Sequence, residues 1–377
     1  MVGSQPFGRC SNESQRGAGA ISELFPLEGR ARKEQLSQAC VKLLILLRDF
    51  PRQNGMRFTF LGDSCAYELC SNGQFDRLVH ASPRDASADS PLGRELAAHD
   101  VLISAMEFRP IPPAKRAGLT TILFDSLFWM WPEMPSALSS IDLYLCQNFL
   151  GVAARLSACG RPANLVVVPP LTLGPDAGWR AAGDSVILNL GRMDNPHAPQ
   201  PMLLRYAECM LSLVHQACRA VGVPLEVHGR GWVMRALRDL LPDTDVTLSS
   251  LPLEDFVRRL RQTRGLITSP GLEVLYEAFT LGVPTCILPP QNNSQAYQCH
   301  QLKREIPLLS GLEWQDVIST DLLSRNRSPA EMIQATLGCV TSLSESRQAQ
   351  EAVRDTIESF LRSSSSWMAR RSSVPSA

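Results

Sequence analysis

The chain has 377 residues, 44% of them hydrophobic, and its 37 lysines and arginines balance its 37 aspartates and glutamates. A chain of this length usually divides into domains, so two units of roughly 150 residues each are expected. A net charge of zero gives no sign of a general attraction to nucleic acid or to anionic membranes. No stretch stays apolar over the roughly 18 residues that a membrane helix requires.

Residues 1–30 are rich in glycine, serine, arginine and asparagine and show no periodic apolar pattern, so we expect them to be disordered. They also lack the apolar centre of a secretory signal. The 11 cysteines are scattered, without a Cys-x-x-Cys pair or an accompanying group of histidines. Such thiols are typical of small buried side chains kept reduced, which predicts a cytoplasmic protein without a metal site.

Order is expected from residue 31, where leucines and alanines recur at helical spacing up to residue 48. Short apolar runs then follow, separated by polar or helix-like segments: 57–61, 78–80, 101–103, 121–124, 143–145 and 165–168. Strands that alternate with helices form a parallel sheet covered on both faces. We therefore expect one α/β domain at residues 31–172.

The strand at 121–124 runs into Asp125, and Phe128, Trp129 and Trp131 follow it closely. Open α/β sheets place their ligands at the carboxyl ends of the strands. The three aromatic rings could stack on a flat acceptor, with Asp125 beside them as a general base. With equal weight, they could instead pack the face between two domains.

A second carboxylate, Glu107, lies just beyond the strand that begins at residue 101. Its position at a strand end is equivalent to that of Asp125, so Glu107 is a second candidate base. The other interpretation is a solvated loop acid, which needs no function.

A segment rich in proline and glycine follows the first series of strands, and we place a linker at residues 173–183. A strand at 186–190, a helix at 202–221 and a strand at 225–228 then resume the alternation. The sequence predicts a second Rossmann-like domain at 184–343. A terminal helix at 344–362 and a disordered tail at 363–377 complete the expected organisation.

Two arginines stand at neighbouring strand ends in this second half. Arg192 directly follows Gly191, and Arg230 lies between two glycines. Their planar guanidinium groups could bind a phosphate or a sugar carboxylate, or could be ordinary surface charges.

The clearest pattern is residues 265–298, GLITSPGLEVLYEAFTLGVPTCILPPQNNSQAYQ. An apolar strand breaks at a Ser-Pro-Gly turn, and a helical pattern begins at Leu272. The first amides of a helix have no partner inside it and lie at the positive end of its dipole. The turn could therefore bind a diphosphate, with the carboxylate of Glu277, nearly two helical turns further on, accepting hydrogen bonds from a ribose.

This order of strand, Ser-Gly turn, helix with a glutamate six residues after the glycine, Gly-x-Pro and Gln-rich loop resembles the donor motif of GT-B glycosyltransferases. It resembles in particular the motif of the peptidoglycan UDP-N-acetylglucosaminyltransferases. The resemblance implies an α/β protein with the GT-B fold, in which two Rossmann-like domains face a cleft, and a UDP-sugar as co-substrate without a further cofactor. It implies these donor contacts: diphosphate at Ser269 and Gly271, ribose at Glu277, and sugar at Gln291, Asn292 and Gln295. Pro270 stands where that family has a small hydroxyl residue, which puts one phosphate contact in question.

The resemblance also implies a metal-independent transfer with inversion to a small-molecule acceptor. Two segments are similar to cytosylglucuronate synthases of antibiotic biosynthesis. One is Asp-Ser-Leu with the aromatic residues and the Trp-Pro-Glu-Met-Pro run that follow it. The other is Leu-Pro-Pro-Gln-Asn-Asn-Ser-Gln. Membership there would imply a glucuronate donor and a flat base as acceptor.

The GT-B resemblance also raises a question about the amino-terminal segment, because such domains begin with a strand before their first helix. Either a segment such as residues 21–27 forms that strand, or the chain lacks it. Two other functions stay open: a UDP-sugar 2-epimerase or nucleotide-sugar hydrolase of the same architecture, and a non-catalytic nucleotide-sugar-binding protein.

Overall fold

The computed structural model describes residues 42–43, 45–47, 55–62, 75–81, 90–130, 136–173, 183–191, 193, 199–240, 246–307, 309–320, 322–323 and 329–371. The strands are β1 (Thr59–Gly62), β2 (Arg77–His80), β3 (Val101–Ala105), β4 (Thr120–Asp125), β5 (Leu143–Gln147), β6 (Leu165–Val168), β7 (Val186–Asn189), β8 (Leu225–His228), β9 (Thr247–Ser249), β10 (Gly265–Thr268), β11 (Thr285–Ile287) and β12 (Ser310–Gly311). The helices are α1 (Pro91–Leu96), α2 (Ile111–Arg116), α3 (Val152–Cys159), α4 (Gln200–Val221), α5 (Gly231–Leu240), α6 (Leu253–Leu260), α7 (Leu272–Leu281), α8 (Asn293–Glu305), α9 (Trp314–Ile318), α10 (Pro329–Glu345) and α11 (Arg347–Arg371). Short 3₁₀ turns lie at Phe128–Met130 and Ser136–Ser140.

In the first half of the chain, β1 pairs with β2, and a second sheet has the order β3-β4-β5-β6. Both sheets are parallel. Helix α1 begins at Ser90, whose hydroxyl oxygen accepts a hydrogen bond from the Gly93 amide and so caps the helix. The apolar side chains Leu92 and Leu96 of α1 are buried against this part of the fold.

The second half forms a six-stranded parallel sheet of order β12-β11-β10-β7-β8-β9. All four residues of β7 are buried, as expected for a central strand with helices on both faces. The chain moves outward from β7 through β8 and β9, and then returns to the other side through β10, β11 and β12. The point where the direction reverses lies between β7 and β10, which is where open α/β sheets bind ligands.

One face of the second sheet is covered by α4, whose apolar side chains are buried in the largest hydrophobic core of the described residues. Gly222 ends α4 with φ of 75°, a left-handed conformation that glycine adopts without strain. Helix α11 packs along α4 and runs to Arg371, further than the terminal helix predicted to end at residue 362.

An apolar cluster joins the two halves. Tyr144 and Phe149 of the first half are buried with Leu272, Leu275 and Tyr276 of α7. The parallel sheets of the described residues, two in the first half and one in the second, alternate with helices and confirm the predicted fold class, an α/β protein with two Rossmann-like units. Within the described residues, no helix has both the length and the hydrophobicity needed to cross a membrane.

Candidate functional site

The carboxyl ends of β7 and β8 approach each other closely through two glycines. Gly191 follows β7 with φ of 70°, and a Cβ atom added there would lie 3.5 Å from the hydroxyl oxygen of Ser269. A Cβ added at Gly229, after β8, would come within 3.0 Å of the Met234 side chain and 3.5 Å of the Gly191 carbonyl oxygen. The glycines therefore let the loops after β7, β8 and β10 meet at the reversal point of the sheet.

The Ser-Pro-Gly turn after β10 leaves the amino end of α7 without a side-chain cap. Gly271 has extended dihedral angles, φ −106° and ψ 126°, and as a glycine it supplies no side-chain cap to the helix. A Cβ added at Gly271 would meet just one atom of the described residues within 4 Å, the carbonyl oxygen of Ser269 at 3.9 Å. The described residues thus leave room beside the Cα atom of Gly271, and the first main-chain amides of a helix are suited to an anion.

The Gln291 side chain forms hydrogen bonds to the residues that follow two of the strands. Its side-chain Nε2 donates to the Leu190 carbonyl oxygen at 2.9 Å and to the Ser269 hydroxyl oxygen at 3.1 Å. Leu190 directly follows β7 and Ser269 directly follows β10, so a single amide group fixes both loops on either side of the reversal point.

The two other residues predicted to bind the donor sugar lie in the same turn. Asn292 caps α8, its Oδ1 accepting from the Gln295 amide at 3.0 Å. The Gln295 Oε1 in turn accepts from the Gln291 amide at 2.8 Å. Gln291, Asn292 and Gln295 thus form a mutually bonded polar loop beside the amino end of α7.

Glu277 is 3% exposed and points from α7 toward the segment that leaves the first sheet. Its Oε1 accepts a hydrogen bond from the Leu173 amide at 2.7 Å, while its Oε2 is buried and has no hydrogen-bond partner among the described residues. Burial raises the pKa of Glu277, against the opposing effects of the Leu173 amide and of the nearby cations Lys42 and Arg261.

Lys42, which the sequence analysis did not select, lies beside this carboxylate. It is 2% exposed, and its Nζ donates to the Leu171 carbonyl oxygen at 3.3 Å and lies 5.7 Å from the centre of the Tyr276 ring. Burial lowers the pKa of Lys42, and the carboxylates of Glu273 and Glu277 act in the opposite direction. A lysine within the apolar run that follows residue 40 is the signal that could have identified it.

In the first half of the chain, Asp125 lies at the end of β4 and is fully buried. Its Oδ2 accepts from the Tyr144 hydroxyl at 2.5 Å, and its Oδ1 accepts from the Leu127 amide at 2.7 Å. Burial, followed by the charge of Asp125, raises the pKa of Tyr144 far above its usual range. Both carboxylate oxygens of Asp125 are therefore engaged within the fold.

The predicted aromatic residues pack between the two halves of the chain. Phe128 is fully buried, and Trp129 contacts Phe149 with ring centres 4.8 Å apart. Phe149 meets the Tyr276 ring edge to face at 5.8 Å, and the Tyr276 hydroxyl donates to the Asn148 carbonyl oxygen at 2.6 Å. Aromatic contacts thus connect the loops after β4 and β5 with α7. Trp131 lies outside the described residues, as does Arg192.

Glu107 and Arg230 are more exposed than the buried Asp125. The Glu107 side chain is 22% exposed, and its Oε1 accepts from the Arg109 amide at 3.1 Å. Arg230 is half-buried at the start of α5, where its carbonyl oxygen accepts from the Met234 amide. The structure thus brings the predicted diphosphate and sugar residues Ser269, Gly271 and Gln291 together and buries Glu277 on α7. Phe128 and Trp129, two of the predicted acceptor residues, lie in the first half of the chain.

No protein-family model matches the sequence, and no curated protein matches it. Among solved structures, the chain is similar to MurG from Acinetobacter baumannii, at 14% identity and a TM-score of 0.49 over 88% of this chain and 96% of that one. It is also similar to the glycotransferase of kitacinnamycin, at 14% identity and a TM-score of 0.46 over 88% of this chain and 95% of that one. A third similar structure is a UDP-GlcNAc 2-epimerase from Methanocaldococcus jannaschii, at 10% identity and a TM-score of 0.47 over 82% and 97% of the two chains. At this level of similarity a shared activity does not follow, so the function proposed below rests on the geometry of the site.

Proposed function

We propose that this protein is a glycosyltransferase of the GT-B type that uses a nucleotide-sugar, specifically a UDP-sugar, as its donor. The observation that carries the proposal is the open, uncapped amino end of α7 at the point where the strand order reverses. A helix start in that place offers main-chain amides to the diphosphate of the nucleotide.

The donor sugar would lie over the loop formed by Gln291, Asn292 and Gln295. Their positions next to Ser269 support this, because a sugar attached to a diphosphate at Gly271 extends only a short distance from it. The nucleoside would lie along α7, and the buried Oε2 of Glu277 would accept a ribose hydroxyl once nucleotide binding uncovers it.

The reaction breaks the bond between the anomeric carbon and the diphosphate oxygen while an acceptor oxygen or nitrogen forms a bond to the same carbon from the opposite face. Positive charge builds on the sugar, and negative charge builds on the departing diphosphate. The helix amides and the guanidinium groups of Arg230 and Arg192 would stabilise that charge without a metal. The acceptor gives its proton to a carboxylate, and the product has inverted configuration.

Glu107 and Asp125 are the candidate bases, since both follow strands of the first sheet. Glu107 is the more accessible of the two, whereas the oxygens of Asp125 already accept from Tyr144 and Leu127. The nearby rings of Phe128 and Trp129 would border the acceptor. More specifically, we propose that the donor carries glucuronate and that the acceptor is a flat base such as cytosine, as in cytosylglucuronate synthases.

A second function is favoured by one observation, the aromatic packing that occupies the face between the two halves. A site closed to an acceptor would suit a nucleotide-sugar 2-epimerase or hydrolase, or a protein that binds the nucleotide-sugar without turning it over.

Incubation with UDP-sugars separates these functions when UDP release is followed with and without candidate acceptors. The transferase predicts UDP release that depends on the acceptor, together with a glycosylated product. Release without an acceptor would favour the epimerase or hydrolase, and tight binding without release would favour the binding protein. UDP-glucuronate with cytosine tests the finer proposal.

A further inference from the structure

The loop that follows β11 begins with two prolines whose carbonyl oxygens are both bonded to the protein core. Pro289 and Pro290 are buried and stand directly before Gln291. Because proline has no amide hydrogen, the main chain of such a pair can take part in hydrogen bonds only through its carbonyl oxygens. Each of these two oxygens accepts from the side chain of a buried aromatic residue.

Tyr206 of α4 supplies the first of these hydrogen bonds. Its hydroxyl donates to the Pro289 carbonyl oxygen at 2.6 Å, and the residue is 2% exposed. Burial raises the pKa of Tyr206 far above its usual range, and the neighbouring Gln291 side chain acts in the opposite direction. The hydroxyl therefore keeps its proton at neutral pH and remains a donor to Pro289.

Trp314, the first residue of α9, supplies the second hydrogen bond. Its indole Nε1 donates to the Pro290 carbonyl oxygen at 2.7 Å, and the residue is 1% exposed. An indole N–H can donate but cannot accept, so this group is suited to a carbonyl oxygen. The Glu313 amide next to it donates to the Asp316 side chain at 2.7 Å, which holds the first turn of α9 in place.

Tyr206 and Trp314 belong to one hydrophobic core, which also contains buried side chains of α4 and α11. Side chains in such a core are close-packed and keep well-defined rotamers. The two donors therefore hold fixed positions relative to the second sheet. The loop is joined to that core at two successive residues, Pro289 and Pro290, just before the residues that we assign to the donor sugar.

The residues after the prolines bond to one another. The Gln291 amide donates to the Gln295 side chain, and the Gln295 amide donates to the Asn292 side chain. Bonds inside the loop stabilise its shape, but they do not fix its place relative to the amino end of α7. That place depends on bonds that leave the loop, which include those of the Gln291 side chain and those of the two proline carbonyl oxygens.

We propose that Tyr206 and Trp314 are positioning residues for the donor sugar. By holding the two proline carbonyl oxygens, they place the loop formed by Gln291, Asn292 and Gln295 where a sugar on the bound diphosphate can reach it. A loop that is fixed in advance loses less conformational freedom when a ligand binds, so the affinity for the sugar is higher. The proposal rests on the proposed function, because that function assigns this loop to the sugar.

The affinities of the full chain for a UDP-sugar and for UDP, measured side by side, separate a positioning role from a structural one. UDP-glucuronate, UDP-glucose and UDP-N-acetylglucosamine are titrated into the unsubstituted protein by calorimetry, and the one that binds most tightly serves as the probe. Tyr206→Phe removes only the hydroxyl, and Trp314→Phe removes the indole N–H. Each variant should raise the Kd of the probe at least about threefold more than the Kd of UDP, since the lost bonds hold the sugar loop and not the amino end of α7.

Tyr297→Phe is the matched control. The Tyr297 hydroxyl, on α8, donates to the Leu323 carbonyl oxygen at 3.3 Å, so its removal is the same chemical change close to the loop without a change at the prolines. The ratio of the two Kd values should stay within about twofold of that of the unsubstituted protein.

Hydrogen–deuterium exchange without ligand, read by mass spectrometry, gives a second measurement. Peptides that cover residues 291–298 should exchange faster in Tyr206→Phe and Trp314→Phe than in the unsubstituted protein or in Tyr297→Phe. Peptides from β7 should keep their protection, which shows that the variants are folded.

Two results would overturn the assignment. A ratio of the two Kd values that stays the same in both folded variants would show that Tyr206 and Trp314 do not position the sugar, whether neither Kd changes or both rise together. Failure of UDP and of all three UDP-sugars to bind the unsubstituted protein would refute the proposed function, and with it the role of the loop toward a sugar. The two results are distinguishable, because only the second concerns the unsubstituted protein.

Discussion

Glu277 on α7 and Leu173, in the segment that leaves the first sheet, are joined by a hydrogen bond of 2.7 Å from the Leu173 amide to Oε1. The second carboxylate oxygen of Glu277 is buried and has no hydrogen-bond partner among the described residues. One oxygen of this carboxylate therefore bonds the segment that leaves the first sheet, and the other is the atom that we propose as the acceptor of a ribose hydroxyl. Nucleotide binding and the arrangement of the two halves would meet at this side chain.

Glu277→Gln keeps an oxygen that can accept from Leu173 but removes the negative charge. A hydrogen bond to a charged acceptor contributes about 1.5 to 3 kcal/mol, so UDP affinity should fall by about 10- to 100-fold. Isothermal titration calorimetry with UDP measures this directly. Glu345→Gln, at an exposed position on α10, is the matched control and should change UDP affinity by less than about threefold. Equal affinities for the Glu277→Gln variant and the unsubstituted protein would remove Glu277 from the site.

Lys42→Met should destabilise the fold, because it leaves the buried carboxylate of Glu277 without its neighbouring cation. The charge of Lys42 acts on both Glu273 and Glu277, and Arg261, which remains near Glu277, reduces the effect of its loss. Urea unfolding measures the change in the free energy of unfolding. Lys115→Met breaks an exposed ion pair with Asp142 and should have a much smaller effect. A comparable loss in both variants would contradict the assigned pair.

The loss caused by Lys42→Met should depend on pH. Burial raises the pKa of Glu277 above its unfolded value of about 4.3, so its contribution is most favourable below that value and is lost as pH rises through the folded pKa. The Lys42→Met variant should therefore lose less stability at pH 5 than at pH 8.

Adding Glu277→Gln to Lys42→Met should abolish this difference between pH 5 and pH 8, since the titrating carboxylate is gone. Glu273 and Arg261 are the other charged groups that act on Glu277, and both are present in every variant. Urea unfolding of the three proteins at both pH values checks this. An equal loss at both pH values in Lys42→Met would contradict the assignment of Glu277 as the responsible group.

Gln291→Glu should lower both the melting temperature and the affinity for UDP. The change removes the amide that donates to the Leu190 carbonyl oxygen and to the Ser269 hydroxyl, at about 1 kcal/mol for each bond. Both effects are expected because these bonds hold the loops that border the amino end of α7. Gln216→Glu makes the same chemical change on an exposed helix surface and should leave both quantities unaltered. A lower melting temperature with unchanged UDP affinity would show that Gln291 stabilises the fold but does not contribute to UDP binding.

The two candidate bases can be separated by turnover and stability measured together. Glu107→Gln should lower turnover by about 10²-fold or more, with UDP affinity and melting temperature unchanged. Asp125→Asn should lower the melting temperature, because Tyr144 and Leu127 lose a charged acceptor. Tyr144→Phe is the control that loses one of these bonds without touching the carboxylate. Normal turnover in Glu107→Gln, with a large loss in a folded Asp125→Asn, would make Asp125 the base.

Much of the fold could be read from the sequence because its signals are local. The apolar run at β10, the Ser-Pro-Gly turn and the helical spacing of α7 predict a strand, a turn and a helix, and the structure contains all three in that order. The strand at 165–168 has the predicted bounds for the same reason.

The contacts between the halves could not be read in this way, because they join residues far apart in the sequence. The spacing of Glu277 from Gly271 predicts a carboxylate on α7, but only the folded chain shows the Leu173 amide and the Lys42 ammonium group beside it. The burial of Asp125 under Tyr144 likewise depends on the pairing of β4 with β5.

A crystal structure with UDP bound would show directly where the nucleotide lies. We expect the diphosphate within hydrogen-bonding distance of the amides at Gly271 and Leu272, with a ribose hydroxyl at the Glu277 carboxylate. A nucleotide bound elsewhere on the protein, with the amino end of α7 unoccupied, would contradict this expectation.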